Sequence, residues 1–245
     1  MEYTILYEDT DFIVCTKPAG IASQNEKGLQ PALTDLLKQY LSKQSGKKGE
    51  PYLGIIHRLD KPVGGIMVYA KTKTAAAALS KQITENQIKK HYYAVLCGIP
   101  KKTTATLTDY LIYDKKNNYS FITSSSNPNA KQAELSYQVL EQINPNPNNP
   151  NETFTLVDIL LKTGRHHQIR AQFSSLGYPL YGDLKYNPAW KPTSTFSERK
   201  TNIALYSYCL ELLHPKNQKP MQFSSIPSDG IWKFFSVLSN TEKLP

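Results

Sequence analysis

The chain has 245 residues, 40% hydrophobic and 20% charged, with mean hydropathy −0.46 and a formal charge of +9, enough to bury a proper core. No apolar stretch reaches the ~20 residues that span a bilayer, and MEYTILYEDT lacks the basic region and apolar core of a secretory signal. Cys15, Cys97 and Cys209 are scattered with no CxxC pair, which argues against a disulfide framework or thiolate zinc site and suits a reducing cytosol.

YTILYED and FIVCTKP read as two short strands, the second ended by Pro18-Ala19-Gly20. Leu33, Leu36, Leu37, Tyr40 and Leu41 recur at helical spacing over residues 31–42. After the polar linker SGKKGEP, LGIIHRL runs as an apolar strand into the turn KPVGG, with IMVYAK as its hairpin partner. Alanines 75–78 with Leu79 and Ile83 form a short helix, and HYYAVLC returns to strand. Residues 114–132 read as a Ser/Asn/Lys loop, ELSYQVL as a strand, and NPNPNNPNE (144–152) as a turn too polar to be core. FTLVDILL is a further strand, RHHQIRAQFSSLG a helix closed by Gly177, ALYSYCLELL the final long strand and SDGIWKFFSVL a C-terminal helix. Strands outnumber helices without alternating strictly with them, which predicts an α+β domain on a mostly antiparallel sheet, not a doubly wound fold.

The charge is unevenly spread. Residues 1–45 carry −2, 46–102 carry +8, 103–160 carry −3 and 161–245 carry +6. Two basic segments meeting in the fold make a face suited to a phosphate backbone; two solvated lysine-rich surfaces account equally well for the composition. Arginine is scarce, four against 25 lysines, so a retained arginine points to a need for its planar fork. Three of the four, Arg58, Arg165 and Arg170, lie in HRLD (57–60) and TGRHHQIR (163–170), beside His57, His166 and His167.

Asp60 sits where the apolar strand enters its turn. A carboxylate there is ordinarily a turn-former. Its neighbours give it a second reading: Lys61 is held extended by Pro62, Gly64-Gly65 permits close approach of another molecule's backbone, and His57 and Arg58 stand just before it. A carboxylate so placed can serve as nucleophile or base.

HRLDKPVGGIMVYAKT resembles the signature of the RluA-type pseudouridine synthases, and the resemblance covers almost the whole chain. TKPAGIASQ (16–24), KKHYYAVLCG (89–98), KQAELSYQVLE (131–141), LKTGRHHQIRAQFSSLGYPLYGDLKY (161–186) and IALYSYCLELLHP (203–215) are similar to further family motifs in the same order. Val63-Gly64 and Ala171-Gln172-Phe173 depart from the commonest family residues, which bears on subfamily and substrate. On this resemblance the chain is expected to begin directly with the catalytic part, without the small N-terminal RNA-binding domain of many relatives.

The resemblance implies the pseudouridine synthase fold: a mixed central sheet flanked by helices, with a central RNA-binding cleft, in one catalytic domain over residues 1–245 or two subdomains sharing one sheet. It also implies isomerisation of uridine to pseudouridine in ribosomal or transfer RNA without cofactor; no metal and a cytoplasmic location are expected from the cysteines, and a monomer because the fold needs no partner. Asp60 matches the essential aspartate, which attacks C1′ or removes the 2′ proton. Arg170 matches the arginine paired with it, and Tyr92 the tyrosine beside the base; on a strand Tyr92 and Tyr93 face opposite ways. The target base must flip out, at a cost of a few kcal/mol, and Arg58 matches the residue filling the vacated space. His57 is structural or a minor RNA contact, and Lys17, Lys71, Arg165 and Gln168 are candidate phosphate or base contacts. A basic RNA-binding protein without catalysis is the alternative, and a glycosidase releasing free uracil a third reading.

Overall fold

The computed structural model describes residues 3–25, 30–46, 49–145, 152–188, 190 and 202–239. The chain divides into two compact units, Met1–Lys90 with Ser207–Ser225, and His91–Tyr206 with Ile226–Pro245.

In the first unit, β1 (Ile5–Glu8) pairs antiparallel with β2 (Phe12–Lys17), and β2 with β4 (Gly64–Ala70). β4 is buried at every residue, so its GGIMVYA run reads as continuously apolar rather than alternating. Its other edge is shared. β3 (Gly54–Ile55) pairs with Tyr69 and Ala70, while β10 (Leu205–Leu213) lies against the strand's opening end. β11 (Pro220–Ser224) pairs antiparallel with β10. Helix α2 (Lys73–Thr84), capped by Thr72 Oγ1 accepting from Ala75 N, lays Ala75 and Leu79 on Phe12, Val14, Ile66, Val68, Leu210 and Leu212. Helix α1 (Leu33–Ser45) buries Leu33, Leu37 and Leu41 and ends at Gly46 in the left-handed conformation, as expected of a glycine C-cap.

The expected hairpin from LGIIHRL to IMVYAK is shorter than its apolar content suggests. Only Gly54 and Ile55 join β4, and residues 56–63 make an excursion that carries HRLD out of the sheet before the chain returns at Gly64. Gly64-Gly65 belongs to β4, not to an open turn. At Gly65 φ is +123°, and a Cβ there would lie 2.3 Å from Ser207 O, so the close approach this glycine permits is to the protein's own β10.

In the second unit the strand order is β5 (Lys89–Cys97), β9 (Phe154–Leu161), β8 (Lys131–Ile143), β6 (Thr104–Asp114) and β7 (Tyr119–Thr123). The β9–β8, β8–β6 and β6–β7 pairs are antiparallel, with a register shift in β8 between Val139 and Glu141. Helix α3 (Gln168–Ser175) packs on β6 and β7, where Ala171 joins Leu111, Ala133 and Tyr186. The helix starts later than RHHQIR suggests because His167 takes a left-handed conformation, φ 51°. Gly177, φ +84°, closes it as expected.

β7 lies inside the stretch expected to be loop. The C-terminal segment is a short 3-10 turn (Gly230–Phe234) followed by a single helical turn, α4 (Ser236–Ser239), rather than one helix. Of the expected turn 144–152, residues 146–151 lie outside the described residues. The α+β expectation holds, with eleven strands and four α-helices among the described residues.

Candidate active site

The excursion carrying Asp60 is tied down from several directions. Ser23 Oγ donates to Leu59 O (2.6 Å) and accepts from Leu59 N (3.0 Å), and Ser23 O in turn accepts from the buried Tyr69 hydroxyl (2.9 Å). Asp60 O accepts from Val63 N (3.0 Å), closing the turn through Lys61 and Pro62. Lys61 O accepts from both Gly20 N (2.7 Å) and Lys17 Nζ (3.2 Å). At the start of the excursion His57 Nε2 accepts from Val68 N (3.2 Å), filling the ladder position that β3 vacates. The Asp60 side chain is half-buried, and Arg58 stands exposed two residues before it.

Lys17, expected to reach RNA, is only 1% exposed. Its ammonium donates to Pro18 O (3.1 Å), Ile21 O (2.7 Å) and Lys61 O. The side chain is therefore a strut between the KPAG loop and the Asp60 turn, not a phosphate ligand. Burial lowers its pKa from 10.5 to about 7, and the charge of Asp60 opposes that shift. Lys71, another candidate phosphate or base contact, is also engaged by the protein itself. It follows Ala70, at the opposite end of β4 from the Asp60 turn, about 20 Å along a seven-residue strand. There Nζ pairs with Glu8 Oε1 (2.6 Å) and donates to Asp9 O, beside the Asp9–His214 bond (2.9 Å).

His57 is half-buried, with Nε2 bonded to the main chain. Because Nε2 accepts, the proton sits on Nδ1, which is buried with no hydrogen-bond partner. Burial, then the nearby charge of Lys90, lowers its pKa to about 3, so the ring is neutral and, of the two roles expected for it, the bond to Val68 N shows the structural one.

In the second unit Tyr92 is 5% exposed and Tyr93 1%, so burial does not distinguish the two tyrosines; only the motif does. Arg170 is 4% exposed and grips Asp183 in a fork, Nε to Oδ2 at 2.7 Å and Nη2 to Oδ1 at 2.8 Å. The Asp183 partner was not anticipated, although it stands in the Gly-Asp turn of the quoted motif. The same Oδ1 accepts from Lys185 N and Tyr186 N, and the guanidinium carbon lies 4.9 Å from the Tyr186 ring centre. Bidentate pairing fixes both position and plane of the arginine.

Gln168, expected to contact RNA, spends its amide on the protein. Oε1 accepts from Thr163 Oγ1 (2.8 Å) and Arg165 N (3.0 Å), and Nε2 donates to Glu134 O (3.1 Å), binding the TGRHH turn to β8. Arg165 is exposed, its Nε donating to Gln132 O (2.8 Å), and remains suited to a phosphate.

These buried bases make stability depend on pH. His167, like His57, has its pKa lowered from 6.5 to about 3, by burial first and then by Arg170, His166 and Lys185. For a base whose folded pKa lies below its unfolded value, the unfolded chain holds more protons across that interval, so stability rises with pH there. Lys17 acts in this sense between about 7 and 10.5, and the two histidines between about 3 and 6.5. Denaturant unfolding is expected to lose up to about 1.4 kcal/mol per pH unit for each histidine as pH falls below 6.5. His57→Gln should flatten that dependence, and an unaltered slope would contradict the buried neutral ring.

The family model of the RNA pseudouridylate synthases matches residues 11–175. The chain belongs to that family. It is 32% identical over 231 residues to the RNA pseudouridine synthase YlyB of Bacillus subtilis, named as uncharacterized, spanning 94% of this chain and 71% of that protein. It is also 32% identical over 241 residues to ribosomal large subunit pseudouridine synthase D of Nitrosomonas europaea, spanning 96% and 65%. The human RNA pseudouridylate synthase domain containing 4 superposes with a TM-score of 0.70 at 24% identity, over 91% of this chain and 87% of that one, a likeness of fold. The RluA-type resemblance is thus borne out, and this synthase is an isomerase that converts uridine in RNA to pseudouridine. Among the described residues no helix is long and apolar enough to cross a membrane.

Proposed function

We propose that this synthase modifies ribosomal RNA of the large subunit, with Asp60 as the carboxylate that acts at the ribose of an extruded uridine. The bracing of the Asp60 turn carries the proposal. Ser23, Gly20, Lys17 and Val63 all spend hydrogen bonds on residues 59–61, a rigidity that a surface turn-former does not need and a reacting group does. The ribosomal assignment is supported by relatives named ribosomal large subunit pseudouridine synthases C and D.

In this reading the N1–C1′ bond breaks, the uracil turns, and a C5–C1′ bond forms. The hydrogen leaves C5 and N1 ends protonated, so the product is an isomer and no oxidant or reductant enters. The Asp60 carboxylate either attacks C1′ or takes the 2′ proton. Tyr92 stacks on the base, Arg170 is the cation of the reacting centre, and exposed Arg58 fills the place the uracil leaves. The protein acts as a cytoplasmic monomer without metal or cofactor. Carbodiimide mapping of pseudouridines in total RNA, from cells with and without the gene, is the test. One or more stops in large-subunit RNA should vanish on deletion; stops lost only from transfer RNA would reassign the substrate, and an unchanged map would remove the proposal.

A further inference from the structure

A column of aromatic rings runs through the second unit from Arg170 to the surface. The Tyr186 ring lies beside the Arg170 guanidinium, and its hydroxyl is 3.1 Å from His167 Nδ1. His167 stacks on His166 with ring centres 3.7 Å apart, and His166 on Tyr113 at 4.0 Å. Tyr113 ends the column and is 43% exposed. Both outer rings are held by their polar ends. The Tyr113 hydroxyl donates to Asn118 Oδ1 (2.9 Å), and His166 Nδ1 lies 2.8 Å from Ser120 Oγ. The hairpin turn bearing Asn118 is itself fixed by Lys185 Nζ on Asn117 O and Asn118 O. Lys115 and Lys116 follow Tyr113 in the same hairpin turn and Arg165 directly precedes His166, all three exposed, while the one acidic side chain of that turn, Asp114, is spent on Lys116 N and Asn117 N.

We infer that Tyr113, backed by His166, is a stacking platform for an unpaired RNA base outside the reacting centre, with Lys115, Lys116 and Arg165 on the flanking phosphates. This rests on the RNA substrate argued above and extends it to a second contact. An aromatic face presented without freedom to turn loses little entropy on stacking, and cations beside it match a polyanion rather than an apolar protein partner. Fixed rings flanked by basic side chains are the combination by which proteins hold single-stranded nucleic acid.

The probe is a 12-nucleotide oligouridylate containing 5-iodouridine, cross-linked by ultraviolet light to the full chain and mapped by mass spectrometry. The cross-link is expected at Tyr113. Tyr113→Ala should weaken oligouridylate binding about 10-fold, equivalent to ~1.4 kcal/mol, and Tyr113→Trp should restore it. Thermal melting of both variants separates this from a purely structural loss, which Trp would not rescue selectively. Unchanged affinity in Tyr113→Ala, failure of the wild-type chain to bind the oligonucleotide, or cross-links confined to other residues would each overturn the platform. Cross-linking at Tyr113 by a chain that modifies no ribosomal RNA would instead sink the substrate assignment and leave the platform standing.

Discussion

Asp60→Asn is expected to abolish pseudouridine formation, lowering the single-turnover rate by about 10⁴-fold or more, while RNA affinity stays within a few-fold. The substitution keeps the shape of the side chain, and the bonds that hold its turn run through main-chain atoms of Leu59, Asp60 and Lys61. None of them depends on the carboxylate. What asparagine lacks is the negative oxygen needed to attack C1′ or take a proton. A filter-binding titration and a tritium-release or carbodiimide assay on the same RNA read the two quantities separately. Retained turnover would remove Asp60 from the chemistry. Loss of binding together with turnover would instead make it a contact residue.

Asp183→Asn is expected to be the most destabilising polar substitution in the second unit. It leaves the buried Arg170 guanidinium, 5% exposed at the side chain, facing a neutral amide in place of a carboxylate that is itself 0% exposed. Removing one partner of a buried pair costs about 3–5 kcal/mol, which in a chain of this size lowers the melting temperature by roughly 10 °C. Activity should fall as well, because the fork sets the plane of Arg170. The double variant Arg170→Met/Asp183→Asn should recover much of the stability, since no uncompensated buried charge remains and the amide oxygen still accepts from Lys185 N and Tyr186 N, and none of the activity if Arg170 is the cation proposed above. A single Asp183→Asn variant melting within 2 °C of wild type would show that the pair is not holding the arginine.

Strand β9 was legible to its last residue, because FTLVDILL is an apolar, β-rich run bounded by polar sequence, and both faces of such a strand are satisfied by burial alone. Strand β7 was not. YSFIT sits among Ser, Asn and Lys, and its conformation comes from β6 alongside it and from Tyr186, whose hydroxyl joins both Ser120 N and Ser120 O. The excursion at 56–63 escaped the pattern too, since hydrophobic periodicity does not say that His57 will take a ladder bond in place of the strand.

The residue types proposed for the chemistry, and the order of the motifs that bear them, are properties of the chain itself: Asp60 before Lys61-Pro62, Tyr92 on its strand, Arg170 three residues past His167. Spacing along a chain is enough to recognise such a set because covalent order does not change on folding. What each charge does is another matter. Lys17, Lys71 and Gln168 look alike as polar groups near motifs, yet folding encloses Lys17 among three carbonyls, pairs Lys71 with Glu8 and turns Gln168 onto Glu134 and Thr163. A donor's partner is set by which acceptors come within about 3 Å, and those acceptors lie up to 63 residues away, a distance only the tertiary structure closes.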